Sequence, residues 1–139
     1  MFIKIGRLEI VQNNFLRFLH FKETGTYSNT ISTSFLRTKF KLFSLVTRRE
    51  HADIFFLFKS LNNLIDSPSI LSSIPFNVQP HVLRNNKLFF EPFFRTNLGK
   101  NSPINRITSL YNIRYANIDL FSYSLDTFRN IIKRQFEIY

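Results

Sequence analysis

Glu50-His51-Ala52-Asp53 places three titratable side chains within one helical turn, a density from which a general acid or a metal-ligand set can be built. No second histidine stands at ligand spacing, because His20 and His81 are isolated in the chain. Arg49 and Asp53 lie one helical turn apart, so an intrahelical ion pair worth roughly a few tenths of a kcal/mol accounts for them without catalysis. A second chemistry is anion binding. Ser102-Pro103 reads as a helix start, with Ser as N-cap and Pro in the first turn, and Arg95, Lys100 and Arg106 stand close by. Backbone N–H groups and neighbouring cations are the parts of a phosphate site. The competing reading makes Gly99 and Ser102-Pro103 a simple element boundary with solvated cations. Arg48, projecting outward beside Arg49, joins Arg95, Lys100, Arg106, Arg129 and Lys133 as the candidate phosphate contacts. Lys39-Phe40-Lys41-Leu42-Phe43 interleaves rings with cations, as a single-strand path does; the helical spacing of most phenylalanines reads these rings as core instead.

The elements that must position these residues are helical. Leu8, Val11, Phe15, Phe18 and Leu19 recur at helical spacing while Glu9, Gln12, Asn13, Arg17 and His20 take the opposite side, which predicts an amphipathic helix over 8–21. A Thr/Ser/Asn/Gly-rich loop follows over 22–34, and helical character resumes over 35–74. Its strongest part starts near Ser44, with Leu45, Ala52, Phe55, Phe56, Leu61 and Leu64 as the apolar face. An earlier start than Glu50 is required because Arg48 and Arg49 would be unfavourable at a helix N-terminus. Asn62-Asn63 suits a left-handed helix end, and Ser67-Pro68 begins a short helix. Residues 75–102 read as irregular with one or two short strands, Pro80 interrupting. A helical pair over 103–137 carries Ile104, Ile107, Tyr111 and Tyr115, then Leu125, Phe128, Ile132 and Phe136. The predicted fold is mainly α, amphipathic helices around an aromatic core, with a short irregular or β segment near 76–94, in one fragment spanning 1–139.

Composition narrows the partners. The net charge of +10 favours a polyanion such as RNA or DNA, and with no cysteine there is neither a disulfide framework nor a cysteine-rich zinc site. The 18 Phe and 5 Tyr assign stability to aromatic packing. No apolar run reaches the roughly 18 residues of a membrane span, and no signal-like segment opens the chain, which reads as intracellular with a nuclear site as the finer expectation. No cofactor, membrane or small-molecule substrate is called for.

An ordered series of short motifs carries a family resemblance. Leu8-Glu9-Ile10-Val11-Gln12 with Phe15-Leu16-Arg17-Phe18-Leu19, then Leu45, Arg48-Arg49, Ala52-Asp53, Leu57, Lys59 and Leu61-Asn62 come first. Leu64-Ile65-Asp66-Ser67-Pro68, Arg84, Thr96-Asn97, Gly99, Asn101-Ser102-Pro103-Ile104 and Arg106 continue it, and Leu110-Tyr111-Asn112, Asp119-Leu120-Phe121 and Ser124 close it. The series resembles the region after the polymerase domain in reverse transcriptases of jockey-like non-LTR retrotransposons, over roughly Arg7 to Lys133. The family commonly has Gly where this chain has Asn63. The resemblance implies a parent enzyme that makes DNA on an RNA template, with template and primer phosphates as contacts and the polymerase domain as partner. Polymerases hold two metals on clustered aspartates, and this chain has no Asp-Asp pair. Tyr115-Ala116-Asn117 is similar to the family's catalytic hairpin only superficially and reads as a helix end. The expectation is a fragment that binds without catalysing. A stand-alone basic helical module binding nucleic acid or a protein is the alternative.

Overall fold

Leu61-Asn62-Asn63-Leu64 shows how local chemistry sets the element boundaries: Asn63 takes φ 55°, and the Leu64 N–H reaches back to the Lys59 carbonyl at 2.9 Å. This is a Schellman ending, in which a left-handed residue lets the chain satisfy helix carbonyls that would otherwise be orphaned. Lys41 does the same for the preceding helix, at φ 52° with Leu42 N–H on the Arg37 carbonyl at 2.9 Å. Gly25, at φ 70°, ends the first helix. Starts are set by hydroxyls. Ser32 accepts from Phe35 N–H at 3.2 Å, Ser44 from Thr47 N–H at 3.1 Å and Thr96 from Gly99 N–H at 3.3 Å.

The computed structural model describes residues 2–27, 29–78 and 87–137; Pro80, His81 and Arg84 lie outside the described residues. The architecture is mainly helical: α1 Phe2–Thr24, α2 Thr33–Lys39, α3 Leu45–Leu61, α4 Pro68–Ser73, α5 Asn97–Lys100, α6 Pro103–Leu110 and α7 Leu125–Glu137. α6 runs on into a π-helical turn, Tyr111–Tyr115. In the irregular segment the expected strands reduce to one antiparallel bridge, Phe76 with Phe89, and α5 is an unexpected short helix. The chain divides into two compact units, 1–50 and 51–139.

In the first unit α1 packs on α2, with the opposite face inward from the one its periodicity predicts. Leu8, Val11 and Phe15 are 61%, 65% and 52% exposed, whereas Leu16 and Leu36 are fully buried. The reason is the partners available. Glu9 binds the Arg37 guanidinium and accepts from Leu45 N–H at 3.1 Å, while Asn13 accepts from Arg37 at 2.9 Å. Gln12 donates to the Phe43 carbonyl at 2.9 Å. A helix whose polar face meets donors and acceptors that need partners buries that face, because leaving them unpaired would cost more than exposing Leu and Phe.

The second unit holds the aromatic core. Phe58 stacks on Phe128 with ring centroids 4.2 Å apart, and Phe55 meets the same ring edge-on at 5.6 Å. Phe89 meets Tyr111 edge-on at 5.2 Å. Ile54, Leu57 and Phe58 form the buried stripe of α3, while Ala52 and Leu64, assigned to that face by the sequence, are exposed. Of Phe136 only the backbone is described. The π-helical turn brings Tyr111, Asn112 and Tyr115 inward together. The Tyr111 hydroxyl donates to the Ile118 carbonyl at 2.6 Å. The Asn112 amide closes on the backbone of Phe89, donating to its carbonyl at 2.8 Å and accepting from its N–H at 3.3 Å. One side chain therefore satisfies both backbone groups of the bridge residue on the side away from Phe76.

Candidate nucleic-acid interface

A groove of about 310 Å³ lies in the second unit between the segment Glu91–Phe94 and the α5–α6 corner, where Lys100, Asn101, Asn105 and Arg106 line it. Two of the six candidate cations, Lys100 and Arg106, thus come together. Their roles differ. Arg106 binds Asp53 in a fork, Nε to Oδ2 and Nη2 to Oδ1, both at 2.8 Å. The hydrogen bonds that the guanidinium donates to Asp53 push its pKa further up, against some desolvation. The expected pairing of Asp53 with Arg49 along α3 is replaced by this contact between elements, in which both carboxylate oxygens accept from one guanidinium fork. Lys100 is exposed and has no ion-pair partner among the described residues.

The other candidates are dispersed. Arg95 is exposed ahead of α5 and does not line the groove. Arg129 and Lys133 are exposed on α7, with Arg129 held by Asp126 at 2.9 Å. Arg48 is exposed on α3 in the first unit. Among the described residues no group of three or more His, Cys, Asp or Glu is placed to hold a metal, and Asp53 turns to Arg106. Tyr115, Ala116 and Asn117 close the π-helical turn. In Lys39–Phe43 the rings are only partly covered, Phe43 being 44% exposed, so the core reading fails there. His20 Nδ1 lies 3.4 Å from Lys39 Nζ.

The α5–α6 corner is built differently from a simple boundary. Pro103 begins α6 as expected, but Ser102 does not cap it with its side chain. Its hydroxyl accepts instead from Asn105 Nδ2 at 2.7 Å, and the same amide donates to the Gly99 carbonyl at 3.0 Å. Gly99 lies inside α5, and a Cβ there would meet the Phe94 ring at 2.8 Å. Glycine is needed for close approach. Gly99→Ala should therefore displace Phe94 and destabilise the unit by about 1–3 kcal/mol, read as a shifted urea midpoint with unchanged slope; an unaltered midpoint would remove this role.

Sequence reasoning missed Glu91, Phe93, Asn105 and Ser109, all of which line the groove. The available signal was Pro92 followed by two phenylalanines in a segment without helical spacing. Glu91 is the groove's acid. Partial burial would raise its pKa, but hydrogen bonds from Asn112 and Lys87 hold it below the usual range, with Lys87 at 3.0 Å and Asn112 at 2.9 Å.

His51, on α3, has its pKa lowered by burial. Its folded value lies below the unfolded value of about 6.5, so the associated stability is present above that pH and is lost as the pH falls through the folded value. Denaturation midpoints should drop between neutral and mildly acidic pH, and His51→Gln should flatten that slope; an equally steep slope in the variant would reassign it to other groups.

No helix among the described residues is long and apolar enough to cross a membrane. No known protein family, curated protein or solved structure matches this chain.

Proposed function

We propose that the chain is the post-polymerase region of a jockey-like non-LTR retrotransposon reverse transcriptase, a fragment that contacts nucleic-acid phosphates and catalyses nothing itself. What carries the reading is where the motif residues meet. Asp53 and Arg106, from motifs far apart in sequence, form the forked ion pair at 2.8 Å. Asn62 donates to the Leu120 carbonyl at 2.9 Å, joining two more of them. The exposed row Leu8, Val11, Phe15 and Phe18 suits packing against a further domain, and the polymerase domain is the partner this reading names. A nuclear, intracellular setting belongs to the same reading.

A stand-alone basic helical module is the second reading, favoured by the buried cluster around Phe58, Phe89, Tyr111 and Phe128 in the second unit. The encoding DNA separates the two. An open frame leading into Met1 and carrying a paired-aspartate hairpin supports the fragment; stop codons there in intact genomic copies overturn it. Primer extension with Mg²⁺ or Mn²⁺ should give no incorporation, and template-dependent product would refute the non-catalytic assignment. For binding, Lys100→Ala should weaken RNA and DNA alike and flatten the log–log salt slope by about 0.7–0.9. An unchanged slope removes Lys100 from the contact set.

A further inference from the structure

Phe93 is 91% exposed and lines the groove together with Pro92, Phe94, Lys100 and Asn105. A phenylalanine ring left in water contributes nothing to the core, and here it shares a groove with the cations Lys100 and Arg106. The charges in that cavity favour an anion. Glu91 is occupied by Lys87 and Asn112, Lys100 has no acidic partner among the described residues, and Arg106 engages Asp53 through Nε and Nη2, leaving Nη1. Two further polar groups, too few to fix a base's identity, stand beside them. Asn105 spends its amide N–H groups on Gly99 and Ser102, which leaves Oδ1, and Ser109 adds a hydroxyl. At about 310 Å³ the cavity has the size of a small-ligand pocket, which one nucleotide can enter and a duplex cannot.

We propose that this groove is a one-nucleotide subsite for single-stranded RNA or DNA, with a base stacked on Phe93 and its phosphate at Lys100. The assignment rests on the nucleic-acid reading above and sharpens it from phosphate contact to strand type. Stacking needs an unpaired base, since in a duplex both ring faces are already covered. Sequence preference should be slight, because every base has a π face and the protein offers few base-edge groups.

The test is fluorescence-anisotropy titration of the full chain with a short oligouridine RNA, the same length of duplex, and adenosine monophosphate as competitor. Single strand should bind at least about tenfold more tightly than duplex, and Phe93→Ala should remove about tenfold of single-strand affinity while leaving duplex binding unchanged. Phe93→Tyr should keep the affinity and Phe93→Leu should lose it, which separates stacking from apolar contact. Because Phe93 is exposed, all three variants should melt with the parent. Equal binding of both strand types, or an unaltered Phe93→Ala, overturns the subsite while the Lys100 salt slope still stands on its own. Displacement of the oligonucleotide by micromolar adenosine monophosphate makes the occupant a free nucleotide and overturns the strand assignment. No salt-dependent binding to any nucleic acid overturns both readings, and binding of an acidic peptide alone moves the groove to a protein partner.

Discussion

Phe128→Ala is expected to destabilise the second unit by about 3–5 kcal/mol, comparable with the whole stability of a small domain. The ring is fully buried and is shared by two neighbours, stacked on Phe58 at 4.2 Å and edge-on to Phe55 at 5.6 Å. Alanine would remove the transfer energy of the ring and leave a void beside Phe55 and Phe58. It would also remove two aromatic contacts, each worth about 0.5–1.5 kcal/mol beyond area alone. Phe128→Leu conserves much of the volume and should cost under about half as much. Equilibrium urea denaturation followed by far-ultraviolet dichroism measures both. A loss below about 1 kcal/mol for Phe128→Ala would mean that the ring is not at the centre of the fold.

Phe128 was legible beforehand because Leu125, Phe128 and Ile132 repeat at helical spacing, and the structure buries Phe128 and Ile132 completely. The end of α3 was legible for a similar reason: Asn63 is among the few side chains that tolerate a left-handed backbone, and it takes φ 55°. What sequence could not supply was the partner of each polar group. α1 has a regular apolar row, yet Glu9, Gln12 and Asn13 face inward because Arg37 and backbone groups of the 43–45 segment stand ready to bond them. Periodicity measures which residues are apolar and says nothing about which polar groups will find each other. The same gap hid the groove. Lys100 and Arg106 stand alike in the sequence, but only three-dimensional pairing shows that one is exposed and the other locked to Asp53, and that Phe93 faces water.

That lock carries the second large effect. Arg106→Ala should destabilise the second unit by about 2–3 kcal/mol, less than for a fully buried pair because the two side chains are 27% and 13% exposed. Most of the loss is the penalty on Asp53, left partly buried without the guanidinium. Asp53→Ala should cost about as much, and the double variant should cost less than the sum by about 1–3 kcal/mol, the coupling of a forked pair. Arg106→Lys should not rescue, since an ammonium is a single point of charge and cannot supply both the Nε and Nη2 bonds. Additive single effects in a urea-denaturation double-mutant cycle would refute the pair. The outcome also governs how binding is tested. If Arg106 holds α3 to α6, reversing its charge weakens nucleic-acid binding by unfolding the groove, and the measured loss would not track ionic strength. Lys100, exposed and unpaired among the described residues, changes charge without touching that joint, so its variants test the proposed phosphate contact directly.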